Sequence, residues 1–473
     1  MNFVTSCGLN RYLPLLLTSA ALLSGCASFS TDGGFALVEK TTKDRLGKEV
    51  QWARSEVDQD RIDKRVGELL SKPLTVDDAV QVALLNNRGL QASFQELGIS
   101  EADVVQAGRL PNPGFSFSRL TRGDEVELER GLHSNLARLI AMPFIGQMEA
   151  RRFEQTKGLV AMSVLQLAAD TRKAYYNAVA AVETLRYMRQ VKEAAEASSE
   201  LARRMEQVGN FNKLQRAREQ MFEADAALNL ARAEQAQRAT RERLTRLLGV
   251  WGDQTLFTLP ERLPDLPKEV MNQPDIECVA LAQRLDVQAA KQVAEQTAKN
   301  LGLTKATRFI NVLEVGAVRN GSNEAPTQRG WEIGLELPLF DWGGARVAKA
   351  EAVYMQAVHR AAQTAINARS EVREAYTNYR STYDIARYQR DEVVPLSQRI
   401  SEENLLRYNG MLIGVFDLLA DARSQINSVN TSIQALRDFW IAQADLDMAL
   451  VGKPNLSPAV GPSMATEAAG PGH

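Results

Sequence analysis

Two hydrophobic periods alternate along the chain. In "GWEIGLELPLF", Trp331, Ile333, Leu335, Leu337 and Leu339 are interleaved with Glu332, Gly334 and Glu336. That period of two puts one strand face in grease and the other in water. "LPNPGFSFSRL" repeats the pattern, with Phe115 and Phe117 against Ser116 and Ser118. A second strand is expected to end at "IAMPF", and a third lies in "FINVLEVGAV". Elsewhere the spacing lengthens to steps of 3 and 4, through Leu419, Ala422, Ile426, Val429, Ile433, Leu436 and Trp440. Leu214, Ala217, Met221, Ala224, Leu228 and Ala231 form a matching seam, and such heptads specify coiled-coil packing. An ordinary helical-bundle core would satisfy the helices taken alone. Long helices are predicted from about Gly146 to Val208 and from about Gly343 to Asn409, with Pro395 the one interruption. The pattern predicts a mainly α fold with a small β part of four strands.

The elements recur in order. "ALLNNRGLQA" (Ala83 to Ala92) aligns with "ALAQRLDVQA" (Ala280 to Ala289), and "PFIGQMEAR" from Pro143 with "PLFDWGGAR" from Pro338. Gly209 then corresponds to Gly410 and Gly249 to Gly452, so the chain is read as two copies of one unit. Thr75 is placed to cap the first helix, which is expected to run to about Gly108, with Asp77 and Asp78 in its first turn. The copies span residues 74–249 and 276–452, and the proline-rich stretch 250–275 links them. Residues 26–73 form an N-terminal extension, and 453–473 lack periodicity and are expected to be disordered. Between Gly410 and Ala422 the second copy has about four more residues than the first has between Gly209 and Ala217. The two helix tips are therefore expected to differ.

The start of the chain changes the picture. Residues 13–23, "LPLLLTSAALL", form an apolar run too short to span a bilayer and follow Arg11, as in a secretory signal over residues 1–25. It closes on "LSGC", which resembles the lipobox of bacterial lipoproteins. That resemblance implies a lipid on Cys26, and Ala27 after it implies outer-membrane sorting. Composition narrows the function classes. With 56 basic and 58 acidic residues there is no nucleic-acid footprint. Three cysteines and three dispersed histidines support neither a disulfide framework nor a metal site. No nucleophile or phosphate-loop motif appears, so the chain does not read as an enzyme and calls for no cofactor beyond the lipid.

Four strands cannot close around water, and an open sheet edge cannot face lipid, so strands must come from further copies. Three copies supply twelve, wide enough for an aqueous bore. "LTVDDAVQVALLNNRGLQAS", "PLFDWGGARVAKAEA", "YNGMLIGVFDLLADARSQI" and the duplicated strand–strand–helix order resemble the TolC outer-membrane factor family, in its lipoprotein branch. The resemblance covers about Leu74 to Gly452. It implies a homotrimer with a twelve-stranded barrel in the outer membrane and an α-helical barrel in the periplasm. It also implies an exit duct for a tripartite efflux pump, with a periplasmic adaptor and an inner-membrane transporter of the RND type as partners. "FDLLADARSQI" and the run after it are similar to heavy-metal branches of that family. The alternative is a lipid-anchored periplasmic coiled-coil scaffold without a pore.

Candidate residues follow. The turns at Gly209 and Gly410 are placed by the resemblance at the periplasmic tip, where the adaptor docks and the closed end lies. Asp417 and Asp421, spaced i, i+4 on one helical face, would form a gate of six carboxylates in a trimer. The competing reading has Asp417 capping its helix and Asp421 solvated. Glu332 and Glu336 would line the barrel lumen, or simply keep one strand face wet. Met142 and Met148 are read as core filler rather than metal ligands. By the repeat alignment Arg138 takes the position of Ile333 on the lipid face, where a charge at mid-bilayer costs about 2–4 kcal/mol, so that either it snorkels to the interface or the register there is off by one.

Overall fold

The computed structural model describes residues 28–307, 313–335 and 340–456. The signal segment, Cys26, Glu336 and the C-terminal tail from residue 457 lie outside the described residues. Helices α1 (Phe35–Leu46) and α2 (Glu56–Leu70) fill the N-terminal extension. The first copy comprises α3 (Val76–Asn86), α4 (Arg88–Ala107), β1 (Gly114–Arg122), β2 (Glu125–Asn135), α5 (Leu136–Gln207) and α6 (Lys213–Leu248). The second comprises α7 (Ile276–Gln283), α8 (Leu285–Thr307), β3 (Leu313–Ser322), β4 (Gln328–Leu335), α9 (Gly344–Tyr388), α10 (Val394–Asn409) and α11 (Val415–Val451). The element order thus repeats. Among the described residues no helix is long and apolar enough to cross a membrane.

The chain divides into two compact units that do not follow the copies. One is built from the residues up to Leu37, Phe94–Val160 and Ala289–Gln363. The other takes Val38–Ser93, Ala161–Gln288 and the residues from Thr364 onward. Each unit draws on both copies.

The first unit holds one antiparallel sheet in the order β1-β2-β3-β4. Gly123 and Asp124 make the two-residue turn between the Arg122–Glu125 pair, and Gly123 takes the left-handed φ of 60° that such hairpins need. Asn323 ties the two hairpins: its Oδ1 accepts the Val126 N–H at 2.8 Å and its Nδ2 donates to the Asp124 carbonyl at 2.8 Å. The N-terminal segment is pinned in the same unit, where the Ser30 N–H donates to the buried Glu101 carboxylate at 2.6 Å.

Two expectations are corrected here. The second strand ends at Asn135, not at "IAMPF", because the Asn135 side chain accepts the Arg138 N–H at 2.7 Å and caps α5. Arg138 therefore belongs to a helix and faces no lipid from a strand. The second long helix runs on through Pro395, the one interruption in its sequence. Pro395 lacks an N–H and its ring crowds the carbonyl four residues back. A π-helical turn, Gln389–Val393, absorbs the mismatch, and the backbone stays helical from α9 through it into α10, with Pro395 in the first turn of α10.

The second unit is cored by α3, α5, α6 and α11. Leu74, Val82, Tyr175, Val179, Leu244, Leu248 and Ile433 pack in one cluster, with Val429, Leu436 and Trp440 of the predicted α11 seam against it. Thr75 caps α3 as expected, accepting the Asp78 N–H at 3.1 Å. One helix was predicted as far as Gly108. It breaks instead at Asn87, because Asn86 and Asn87 donate their side-chain amides to the carbonyls of Leu247, Leu248 and Gly249, closing the C-terminus of α6.

Candidate functional site

The strand registers give the sheet two chemically distinct faces. Phe115, Leu132, Ala317 and Trp331 stand opposite one another in one rank across all four strands, with Val315 and Ile333 paired in the next rank on the same face. All these side chains are exposed. The reverse face carries His133, Glu129, Glu127, Glu314, Asn320, Gln328 and Glu332. Space there is made by glycines: a Cβ on Gly316 would lie 2.7 Å from the Glu332 carboxylate, and Gly114 lies under the His133 ring. Glu332 thus occupies the polar face that the alternation assigned it. Glu127, Glu129 and Glu314 join it, and only the strand pairing could reveal them.

The outer edges of β1 and β4 have no partner strand among the described residues. Helix α6 is also unpartnered on one side among the described residues. Glu219, Ala226 and Ala233 are buried at intervals of seven. The seam predicted from Leu214, Met221 and Leu228 instead stays 62%, 64% and 56% exposed. A heptad apolar stripe left bare in one chain is a surface for another helix.

The two helix tips prove alike rather than different. At the end of α5, Gly209 adopts φ 79° and the Asn210 N–H reaches back to the Met205 carbonyl at 2.9 Å. At the end of α10, Met411 adopts φ 59° and the Leu412 N–H reaches the Arg407 carbonyl at 2.8 Å. Both are Schellman-type ends. The partner of Gly209 is therefore Met411, and Gly410 has an ordinary φ of −80°. In each tip the N-cap of the returning helix stands three residues on, Asn212 in one and Gly414 in the other. Asn212 and Gln215 form a reciprocal capping box. Gly414 has no side chain to contribute, but Asp417 still accepts the Gly414 N–H at 3.2 Å. The expected difference in length came from anchoring the alignment on alanines one helical turn apart.

That equivalence matches Gln215 with Asp417 and Glu219 with Asp421. Glu219 is 1% exposed, accepts from Ser198 Oγ at 2.8 Å and pairs with Arg423 Nη2 at 3.0 Å. Arg423 also lies over the Phe222 ring at 4.4 Å. Asp421 has no such support: its Oδ2 is sealed from solvent and accepts no hydrogen bond among the described residues.

An antiparallel sheet with one apolar and one polar face and a set of long paired helices define a mainly α architecture with a small amphipathic β part. No protein-family model matches the chain. It is 25% identical over 285 residues to the cobalt-zinc-cadmium resistance protein CzcC of Cupriavidus metallidurans. That match covers 57% of this chain and 64% of the relative, less than two thirds of its length. Among solved structures it is similar to the Campylobacter jejuni CmeC outer membrane channel, with a TM-score of 0.67 and 18% identity over 87% of this chain and 91% of that one. The open state of the Neisseria gonorrhoeae MtrE outer membrane channel matches with a TM-score of 0.67 and 18% identity over 80% and 89%. The chain has the fold of the outer-membrane factor channels.

Proposed function

We propose that the protein is the outer-membrane duct of a tripartite efflux system, passing substrate without chemistry from an inner-membrane transporter of the RND type and a periplasmic adaptor. The carrying observation is the four-stranded sheet with one apolar face, one acidic face and two unpaired edges. Lipid tolerates no open edge, so β1 of one copy pairs with β4 of the next, and three copies close a twelve-stranded barrel. The bare stripe of α6 supports the same assembly. The likeness to a cobalt-zinc-cadmium resistance protein supports divalent metal cations as cargo. A lumen lined by Glu127, Glu129, Glu314 and Glu332 suits cations.

Cys26 carries the lipid anchor in this reading, and the Ser30–Glu101 contact four residues on supports a fixed exit for it. Asp417 and Asp421 narrow the periplasmic mouth, Asp417 held by its own helix end and Asp421 with one carboxylate oxygen lacking a partner among the described residues. The tips at Gly209 and Gly410 meet the adaptor. The test is conductance in planar bilayers. Wild type forms channels blocked by multivalent cations from the periplasmic side, and Asp417→Asn/Asp421→Asn weakens that block. A protein that is released from outer-membrane fractions once Cys26 is replaced, and that never conducts, is the pore-free scaffold instead.

A further inference from the structure

Above the apolar rank, the lipid-side face of the sheet gains a row of cations beside Phe117. Two residues nearer the hairpins, Arg130, Arg319 and Arg329 stand directly opposite one another on three adjacent strands, on the same face as Phe115 and Trp331. Arg119, on β1, lies on that face one pair further up. Neighbouring strands lie about 4.8 Å apart, so the three guanidinium groups of the rank sit within roughly 10 Å. All four side chains are exposed. Among the described residues none has a carboxylate partner, since the acidic side chains of these strands occupy the other face. Like charges directly opposite on adjacent strands destabilise a sheet. Three in one rank call for an anion with several charged oxygens, and planar guanidinium forks match phosphate.

The position selects the source of that anion. The helices leave the sheet at the end of the Val315–Ile333 pair, and the hairpins close the opposite end. In a channel whose helices run into the periplasm, the hairpins face outward and the arginine rank lies beyond the apolar band, at headgroup depth in the outer leaflet. We propose that Arg130, Arg319 and Arg329, with Arg119 beside them, form a binding site for the phosphate groups of the outer leaflet's phosphorylated glycolipid, one site per protomer. This rests on the channel reading, which fixes the face that meets lipid.

The test is native mass spectrometry of the full-length protein in detergent, titrated with purified lipid A, with enzymatically dephosphorylated lipid A, and with inorganic phosphate. Wild type is expected to bind lipid A at least tenfold more tightly than the dephosphorylated form, up to one per protomer. Arg130→Gln/Arg319→Gln/Arg329→Gln loses that preference, and the charge-matched control Arg61→Gln/Arg65→Gln/Arg262→Gln keeps it. The triple glutamine variant removes like-charge repulsion, so its fold is not at risk. Equal binding by wild type and the triple variant overturns the site. Millimolar inorganic phosphate that displaces the lipid completely makes it a free-anion site and overturns the lipid assignment. The same preparations are assayed for conductance. Channels with no lipid preference refute this inference alone, whereas absence of channels in every preparation refutes the reading beneath it.

Discussion

Replacing Arg423 with methionine isolates the contact that binds the two copies near their tips. Glu219 is 1% exposed and holds two charge-assisted hydrogen bonds, from Ser198 and Arg423. Removing the cation leaves a buried carboxylate with one hydroxyl, a change that costs about 3–5 kcal/mol for a fully buried pair. The Arg423 side chain is 38% exposed, so water and salt soften the loss, and about 2–3 kcal/mol is the better figure. In a chain of two units a single global unfolding free energy is ill-defined, so the effect is best read locally. Hydrogen exchange of peptides from the end of α5 and the start of α6 should accelerate roughly 30- to 150-fold, at 1.4 kcal/mol per tenfold. Arg423→Met/Glu219→Gln should recover most of that protection, because the neutral amide no longer needs a cation. A double variant as unprotected as the single one, with peptides in the β-sheet unchanged in all three proteins, would refute the buried-charge argument.

Two further outcomes follow from local geometry. Met411→Gly removes a left-handed residue that costs about 1–2 kcal/mol, against about 0.5–1 kcal/mol of added glycine freedom in the unfolded chain. The tip should therefore exchange a few-fold more slowly, and faster exchange would show that the methionine side chain holds the turn. Burial pushes the Tyr176 phenol up to about 12 and raises Tyr175 as well, whose hydroxyl donates to the Leu74 carbonyl at 2.9 Å. The folded chain then keeps protons that the unfolded chain loses near pH 10, so stability falls as pH rises from about 10 to about 12. Tyr176→Phe should flatten that fall, and ultraviolet titration of the folded protein should show late-ionising phenols.

Much of this architecture was legible because its signals are periodic. Alternation located β1, β3 and β4, and the heptads of α11 point where predicted, since both follow from side-chain geometry along one element. The errors arose where one side chain outweighs a pattern. Asn135 starts a helix in a stretch whose proline suggested the end of a strand, and Pro395 is absorbed by a π turn that no periodicity announces. The tips were misaligned because alanines recur at every turn of these helices, whereas the caps at Asn212 and Gly414 fix the true register. Of the candidate residues, Glu332 could be placed from alternation alone. The arginine rank, the acidic companions of Glu332 and the match of Asp421 with Glu219 depend on pairing between distant segments, which one sequence does not display.

The interleaving of the two copies also governs how the chain comes into being. As the chain is synthesised, β1 and β2 appear first and must wait for α5, α6 and the linker before β3 arrives to pair with β2. Throughout that interval a hairpin bearing Phe115, Phe117 and Leu132 has an unpaired edge, the kind of surface that nucleates aggregation. Neither copy expressed alone can complete a unit, because each unit takes segments from both. Completing either unit therefore requires segments from both sides of the linker.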